Sequence, residues 1–142
     1  MTECSRVFID TAPIIYYLQH DKLYFKLAND IFWHFQKSSA SLVSSDITIE
    51  EYCVRPYKSN DLLLIHALEG FVRDAKIEIV HTSWKIATRA AHIRAEYPAF
   101  KAMDSLQIAA AMESGCDLFL TNDKQLRQFD GIRCMTLEQF LL

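Results

Sequence analysis

Apolar residues recur along the chain in two spacings, which predict strands alternating with helices. Short apolar runs predict five strands, at residues 6–10, 40–45, 77–80, 117–120 and 132–135. Helical spacing and capping residues predict helices at 14–19, 21–37, 61–74, 104–114 and 123–129. Three further helices have two possible starts each: one begins at 46 or 48 and runs to 52, one begins at 82 or 83 and runs to 96, and a last turn begins at 136 or 137. Such alternation indicates a three-layer α/β/α fold with a mostly parallel central sheet of about five strands.

Polar residues, prolines and a glycine mark the expected helix ends. Thr11 offers a capping hydroxyl, and Pro13 suits the first turn of a helix. Pro56 is expected to end the third helix, Asn60 to cap the next one, and Gly115 to stop the alanine-rich helix before strand four.

Composition indicates one globular unit. The chain has 142 residues, 51% of them hydrophobic, with three glycines and three prolines, so we expect a single domain over residues 1–142. The formal charge of -3 would repel a polyanion, which argues against a nucleic-acid coat protein. It argues less against a nuclease, because bound divalent cations reverse the local field.

Features of membrane and secreted proteins are missing from the sequence. The N-terminus lacks a signal-peptide layout, and no apolar run approaches the roughly 18 residues that cross a bilayer. The cysteines, Cys4, Cys53, Cys116 and Cys134, show no C-x-x-C spacing. We therefore expect a soluble, cytoplasmic protein with reduced thiols.

Four acidic residues fall where the predicted fold brings the chain to one edge of the sheet. Asp10 closes strand one, Glu51 lies on the helix after strand two, Asp104 opens a helix, and Asp123 follows strand four. Ligands of parallel sheets bind beyond the carboxyl ends of the strands, so these side chains are expected to converge there.

The chemistry of such a group points to a cation. Clustered carboxylates repel one another unless a cation or protons intervene, and oxygen ligands suit Mg²⁺ or Mn²⁺. The reaction suggested is phosphodiester hydrolysis, in which the cation activates water and stabilises the leaving oxygen. A simpler interpretation also stands: Asp104 and Asp123 could be helix caps, Asp10 could cap the helix near Pro13, and Glu51 could be a solvated helix residue.

Other reactive residues fit no recognised site. The five histidines show neither H-E-x-x-H nor another zinc spacing, and Cys53 and Cys116 lack an identifiable catalytic partner. Aromatic residues at helical spacing are interpreted as core or as a surface that grips a partner: Phe25, Phe32, Trp33 and Phe35. Lys101 and Lys124, which flank acids, are candidates for phosphate contacts.

Four segments resemble the ordered motifs of PIN domains, particularly those of VapC-type toxins. They are V-F-I-D-T-A-P-I-I-Y-Y-L, S-S-D-I-T-I-E-E-Y-C-V-R-P-Y, K-A-M-D-S-L-Q-I-A-A-A and L-F-L-T-N-D-K-Q-L. The resemblance implies that Asp10 and Asp104 ligate a metal and that Asp123 supports the same site or a second metal. It aligns Glu51 with the family's acid, with Glu50 as the alternative.

The same resemblance assigns supporting roles to three polar residues. Thr121 and Asn122 resemble the family's polar shelf beside the metal, where a hydroxyl could orient water or a carboxylate. Thr11 stands where Ser or Thr occurs. One departure is Ala102-Met103, which precedes Asp104 where a Thr-Pro or similar pair is frequent.

The resemblance implies an Mg²⁺- or Mn²⁺-dependent endoribonuclease, the toxin of a toxin–antitoxin pair, with an antitoxin partner and a homodimeric state. Two alternatives belong to other classes. One is a PIN fold kept as a catalytically silent protein-binding scaffold. The other is a receiver-like phosphoacceptor domain, which lacks its acid because His81 follows strand three.

Overall fold

The computed structural model describes residues 3–142, so the first two residues of the expected domain lie outside the described part. Five strands form one sheet: β1 Arg6–Ile9, β2 Ser41–Ser45, β3 Glu78–Val80, β4 Leu118–Thr121 and β5 Cys134–Thr136. Their order is β3-β2-β1-β4-β5, and every neighbouring pair is parallel. The predicted five-stranded α/β fold is confirmed, and β1 lies at its centre. A receiver-like sheet would place strand three there instead.

Helices connect and cover the strands. They are α1 Thr11–Leu18, α2 Phe25–Lys37, α3 Asp46–Lys58, α4 Leu62–Asp74, α5 Trp84–Glu96, α6 Ala102–Glu113 and α7 Leu137–Leu141, with a 3₁₀ helix at Lys124–Gln128. None of the helices within residues 3–142 is both long and apolar enough to span a bilayer.

Alternation along the strands divides the core into two layers. Val7 and Ile9 of β1 face a cluster that includes residues of α1, α2, α4 and α7, whereas Phe8 faces one built on α5 and α6. Phe8 stacks on Phe119 of β4, with ring centroids 5.3 Å apart. Because central strands are buried on both faces, β1 is apolar from Val7 to Ile9 and β4 from Leu118 to Leu120, which explains their continuous hydrophobic runs.

Two of the expected helix boundaries were wrong. Pro56 does not end α3, which continues to Lys58; in the last turn a proline removes one backbone donor, and Ser59 N–H still bonds to Arg55 O at 3.1 Å. Asn60 does not cap α4. It has a φ of 54°, and the cap is Asp61, whose carboxylate accepts from Leu64 N–H at 3.4 Å.

The start of α1 also differs from the prediction. The helix begins at Thr11, and its cap is Asp10, whose Oδ1 accepts a 2.9 Å hydrogen bond from Thr11 N–H. The Thr11 hydroxyl is thereby free for another contact. Gly115, by contrast, follows α6 with a φ of 75°, the left-handed conformation expected of a helix stop.

Smaller shifts affect α2, α6 and β5. The Asp21 carboxylate accepts from the N–H groups of Leu23 and Tyr24, both at 2.9 Å, which forms a turn that delays α2 to Phe25. Asp104 lies inside the first turn of α6 rather than at its start. Ile132 is buried but precedes β5, which begins at Cys134.

Candidate active site

Asp10 lies at the carboxyl end of the central strand, where backbone and side-chain donors fix it. Its N–H bonds to Leu120 O at 2.9 Å, which holds the residue between β1 and β4. Oδ1 accepts from Thr11 N–H, and Oδ2 accepts from the Thr121 hydroxyl at 2.8 Å. The side chain is 9% exposed. Both carboxylate oxygens therefore have defined partners in an almost buried position.

Glu51 reaches the same edge of the sheet from α3. The Thr11 hydroxyl donates to Glu51 Oε1 at 2.6 Å, and the side chain is half-buried. Glu50 is exposed, because consecutive helix residues point about 100° apart. Of the two glutamates, Glu51 is thus the one whose side chain lies beside Asp10.

Asp104 and Asp123 complete the acidic group at different depths. Asp104 is half-buried, and Asp123 is exposed and caps the 3₁₀ helix by accepting from Gln125 N–H at 3.0 Å. Asp123 is therefore a helix cap, whereas Asp104 is not, since α6 begins two residues before Asp104. The charges of Asp123 and Glu51 both act on Asp104, which places the three acids within electrostatic range.

Burial and like charge both disfavour ionised Asp10. Removal from water is the main reason that the pKa of Asp10 rises from 3.8 to about 6. The hydrogen bonds donated by Thr11 and Thr121 lower this pKa, whereas the charges of Asp104 and Glu51 raise it further. Burial also raises the pKa of Asp104, helped by Asp123 and Glu51, while the Lys101 ammonium opposes the shift. The pocket accordingly favours a bound proton or cation.

The remaining predicted residues lie around this group. Thr121 is buried, and its oxygen also accepts from Asp123 N–H at 3.1 Å. Asn122 donates to Tyr16 Oη at 2.9 Å. Lys101 precedes α6 and is exposed within electrostatic range of Asp104, and Lys124 is exposed directly after Asp123.

Two buried polar residues beneath the acids, Ser45 and Gln107, were not singled out from the sequence, and Thr48 was considered only as a helix cap. That cap was wrong, because Ser45 caps α3 by accepting from Ile47 N–H. Gln107 contacts the hydroxyls of Ser45 and Thr48 and approaches Asp10. A signal for Gln107 was present: it is the one amide in an otherwise apolar stretch of α6, one turn after Asp104. Thr48 similarly lies one turn before Glu51.

The donor set of the site suits a hard cation. Within residues 3–142, no three His, Cys, Asp or Glu side chains form a ready metal-binding cluster. The groups present are carboxylate and hydroxyl oxygens, which Mg²⁺ and Mn²⁺ prefer. The raised pKa of Asp10 shows that a positive charge would stabilise its ionised form. The residues therefore fit a divalent cation in chemistry and charge.

A separate cavity of about 850 Å³ lies toward the opposite edge of the sheet. Its walls come from the end of α1, from α2 and α4, and from the start of β2. They include Tyr17, Phe32, Trp33, Leu42 and Phe71. Trp33 is 58% exposed at this surface. Phe32 and Phe35 of α2 thus belong to the core, and the neighbouring Trp33 is exposed at the cavity.

The PIN-domain family model matches residues 7–132, which include all four acids. The chain belongs to the PIN-domain family. This membership confirms the resemblance seen in the four motifs and removes the receiver-like alternative. No curated protein sequence matches the chain significantly.

Solved structures with the same fold as this PIN domain include toxin–antitoxin proteins. VapBC2 from Rickettsia felis, solved with a promoter DNA fragment, superposes with a TM-score of 0.72 at 17% identity, covering 92% of this chain and 98% of that one. A toxin–antitoxin complex from Klebsiella pneumoniae gives 0.71 at 20% identity, covering 92% and 97%. Mycobacterium tuberculosis VapC20, a sarcin-ricin-loop-cleaving toxin, gives 0.66 at 14% identity, covering 89% and 98%. At these identities the likeness establishes a shared fold.

Proposed function

We propose that this PIN domain is an endoribonuclease that hydrolyses RNA phosphodiester bonds with Mg²⁺ or Mn²⁺. The observation that carries the proposal is the convergence of Asp10, Glu51, Asp104 and Asp123 at the carboxyl edge of a PIN fold, with Asp10 nearly buried. A bound cation would offset this repulsion at neutral pH, above the raised pKa of Asp10 of about 6.

In this proposal, Asp10 and Asp104 hold the metal and Asp123 completes the pocket. When bound, the cation would lower the pKa of water and stabilise charge on the leaving oxygen. Thr121 orients one oxygen of Asp10, and Thr11 orients Glu51, which assists the hydrated cation. Asn122, whose amide donates to Tyr16 Oη, forms part of the polar shelf beside the metal. Lys101 and Lys124 offer positive charge to substrate phosphates at the rim.

Cleavage of RNA by the purified protein tests this proposal. We expect cleavage with Mn²⁺ or Mg²⁺, loss of cleavage in excess chelator, and loss in Asp10→Asn. Exposed Asp30, which pairs with Lys26 on α2, supplies the matched control as Asp30→Asn. A protein that cleaves no RNA with either metal, or that cleaves equally well as Asp10→Asn, contradicts the proposal.

We further propose that the chain is the toxin of a pair and binds an antitoxin through the cavity between α2 and α4. The likeness to proteins from toxin–antitoxin complexes supports a protein partner. The aromatic wall with half-exposed Trp33 supports this location, because partly buried aromatic residues commonly anchor protein partners.

Co-expression with the product of a small neighbouring gene tests the partner. We expect Trp33→Glu to weaken that complex while RNA cleavage persists. Trp84→Glu is the matched control, because Trp84 is 86% exposed at the start of α5 and does not line the cavity. Equal loss of binding in both variants would contradict the proposed location.

A homodimer is part of the same proposal. Exposed apolar side chains lie along α3 and at the start of α4: Val54, Tyr57, Leu62 and Leu63. Such a patch favours association, and light scattering on the purified chain measures it.

The four cysteines are free thiols, which suits action in the reducing cytoplasm.

A catalytically silent scaffold is the second candidate, favoured by the lack of a ready three-residue metal cluster within residues 3–142. Calorimetric titration with Mn²⁺ separates the two candidates. A nuclease site binds the ion and loses affinity in Asp104→Asn, whereas a scaffold shows no saturable binding.

A further inference from the structure

Gln107 is a buried polar residue to which the proposed reaction assigns no role. It lies in α6 one turn after Asp104, is 1% exposed, and is followed by Ile108 and a run of three alanines. Burying an amide is unfavourable unless its hydrogen bonds are satisfied. The contacts made by this side chain therefore indicate why it occupies a core position.

Both ends of the Gln107 amide are engaged. Oε1 accepts a hydrogen bond from the Ser45 hydroxyl at the end of β2. Nε2 donates to Thr48 Oγ1 on α3 at 2.6 Å. It also lies 3.4 Å from Asp10 Oδ1 and 3.5 Å from Thr11 Oγ1. One side chain thus links α6 to the ends of β1 and β2 and to α3.

The orientation of this amide follows from its neighbours. Ser45 Oγ already accepts from Ile47 N–H at 3.1 Å as the cap of α3, and its own hydrogen is directed to Gln107 Oε1. The reversed amide would place Oε1 against the carboxylate of Asp10, which is repulsive when Asp10 is ionised. The donor end therefore faces Asp10.

We infer that Gln107 is a positioning residue of the acidic pocket, whose amide fixes α6, and with it Asp104, relative to Asp10 and the Thr11–Glu51 pair. The kinetic part of this inference rests on the proposed nuclease function. Its structural part does not, because the contacts exist without metal or substrate.

The consequence for the site is a restraint on the separation of two acids. Asp104 and Gln107 share one rigid helix, and the amide reaches the carboxylate at the end of β1. Without the amide, α6 would keep its apolar packing against the sheet, but the contact that sets its position against Asp10 would be lost. Loss of a residue that orients a metal ligand typically lowers metal affinity or activity by about 10–100-fold.

Two substitutions of similar size separate the roles of the amide. Gln107→Met removes both polar ends, whereas Gln107→Glu keeps an acceptor for Ser45 and removes the donor facing Asp10. Ser114→Ala is the control directly after the same helix, because its hydroxyl bonds to the Ala110 and Ala111 carbonyls of α6 and contacts nearby Cys116. Melting curves identify temperatures at which every variant is folded.

We expect Gln107→Met and Gln107→Glu to lower kcat about 10–100-fold and to weaken Mn²⁺ binding by a similar factor, with an unchanged KM for RNA. Ser114→Ala should match the wild type. In the metal-free crystal structure of either Gln107 variant, the Asp10 carboxyl and the Thr11–Glu51 contact should be displaced.

The inference is overturned if both Gln107 variants keep the wild-type positions of Asp10 and Glu51 in the metal-free crystal structure. A Gln107 variant that melts at a lower temperature but keeps the wild-type kcat and Mn²⁺ affinity would likewise show that Gln107 has a purely structural role. If the wild-type protein neither binds Mn²⁺ nor cleaves RNA, the nuclease proposal fails, and the metal-free structures of the variants still decide the positioning role.

Discussion

The Thr11 hydroxyl donates a 2.6 Å hydrogen bond to Glu51 Oε1, which joins the first turn of α1 to the second turn of α3. The hydroxyl can do so because Asp10, rather than Thr11, caps α1. This contact distinguishes Glu51 from the adjacent, exposed Glu50, which sequence spacing alone left as an alternative.

The two neighbouring glutamates allow a matched test. We expect Glu51→Gln to lower the rate of metal-dependent RNA cleavage about 100-fold, because the amide cannot act as a base or carry charge next to the cation. Glu50→Gln removes the same charge one residue away and should stay within about twofold of the wild type, since surface changes of this kind are usually small. Equal losses in the two variants would contradict the assignment of Glu51.

Thr11→Val tests the orientation of Glu51 without changing an acid. The substitution preserves shape and removes the hydroxyl, so we expect kcat to fall about tenfold, at the low end for lost orienting partners. Thr88→Val on α5 is the control, because the Thr88 hydroxyl is exposed and bonds to Lys85 O at 3.1 Å. Steady-state kinetics on a fluorescent RNA measure both variants. An unchanged kcat in Thr11→Val would remove the orienting role.

Asp10→Asn should produce an inactive protein that is more stable than the wild type above pH 6. The pKa of Asp10 is raised from 3.8 to about 6 in the folded state, so the folded protein binds a proton at Asp10 more tightly than the unfolded chain does. The resulting stability is fully present below pH 3.8 and is lost as the pH rises through about 6. The difference between a pKa of 3.8 and one of about 6 corresponds to roughly 3 kcal/mol in the free energy of unfolding.

Thermal unfolding in chelator measures this difference, since a bound cation would stabilise ionised Asp10. At pH 8 the Asn variant should melt on the order of 5–10 °C above the wild type. The difference should close near pH 4. Parallel pH profiles for the two proteins would show that burial of the Asp10 charge does not limit stability.

Charge reversal at the rim tests substrate contact. We expect Lys101→Glu and Lys124→Glu to raise the KM for RNA and to weaken its dependence on salt, because each contact with a phosphate releases a counterion. Lys101→Glu should also raise the pKa of Asp104 further, because the Lys101 charge lowers that pKa in the wild type. Lys58→Glu, exposed at the end of α3, is the control. A KM unchanged in both rim variants would exclude these phosphate contacts.

The sheet was predictable because its central strands are apolar on both faces. Val7 and Ile9 enter one core and Phe8 the other, so the sequence shows an unbroken run that only a doubly covered strand can bury. Once such strands alternate with helices, their carboxyl ends share an edge, and the placement of Asp10 and Asp123 follows. Helix ends were less predictable, as Pro56 illustrates, because one missing donor in a final turn is easily tolerated.

The polar contacts beneath the acids could not be derived from spacing. Gln107 contacts Ser45 and Thr48, which lie 62 and 59 positions away in the chain. Only the packing of α6 against the sheet brings these groups together. Likewise, the exposure of Asp123 and the burial of Asp10 depend on tertiary structure, although both residues follow apolar strands.

The short helix α1 also sets a length requirement for any inhibitor that works through the cavity. Thr11 at one end of α1 contacts the acidic group, and Tyr17 and Leu18 at the other end line the cavity. Eight helical residues span about 12 Å, a distance that an extended peptide crosses with about four residues. A partner anchored at Tyr17 and Leu18 must therefore extend by about the length of α1 to contact the acids directly.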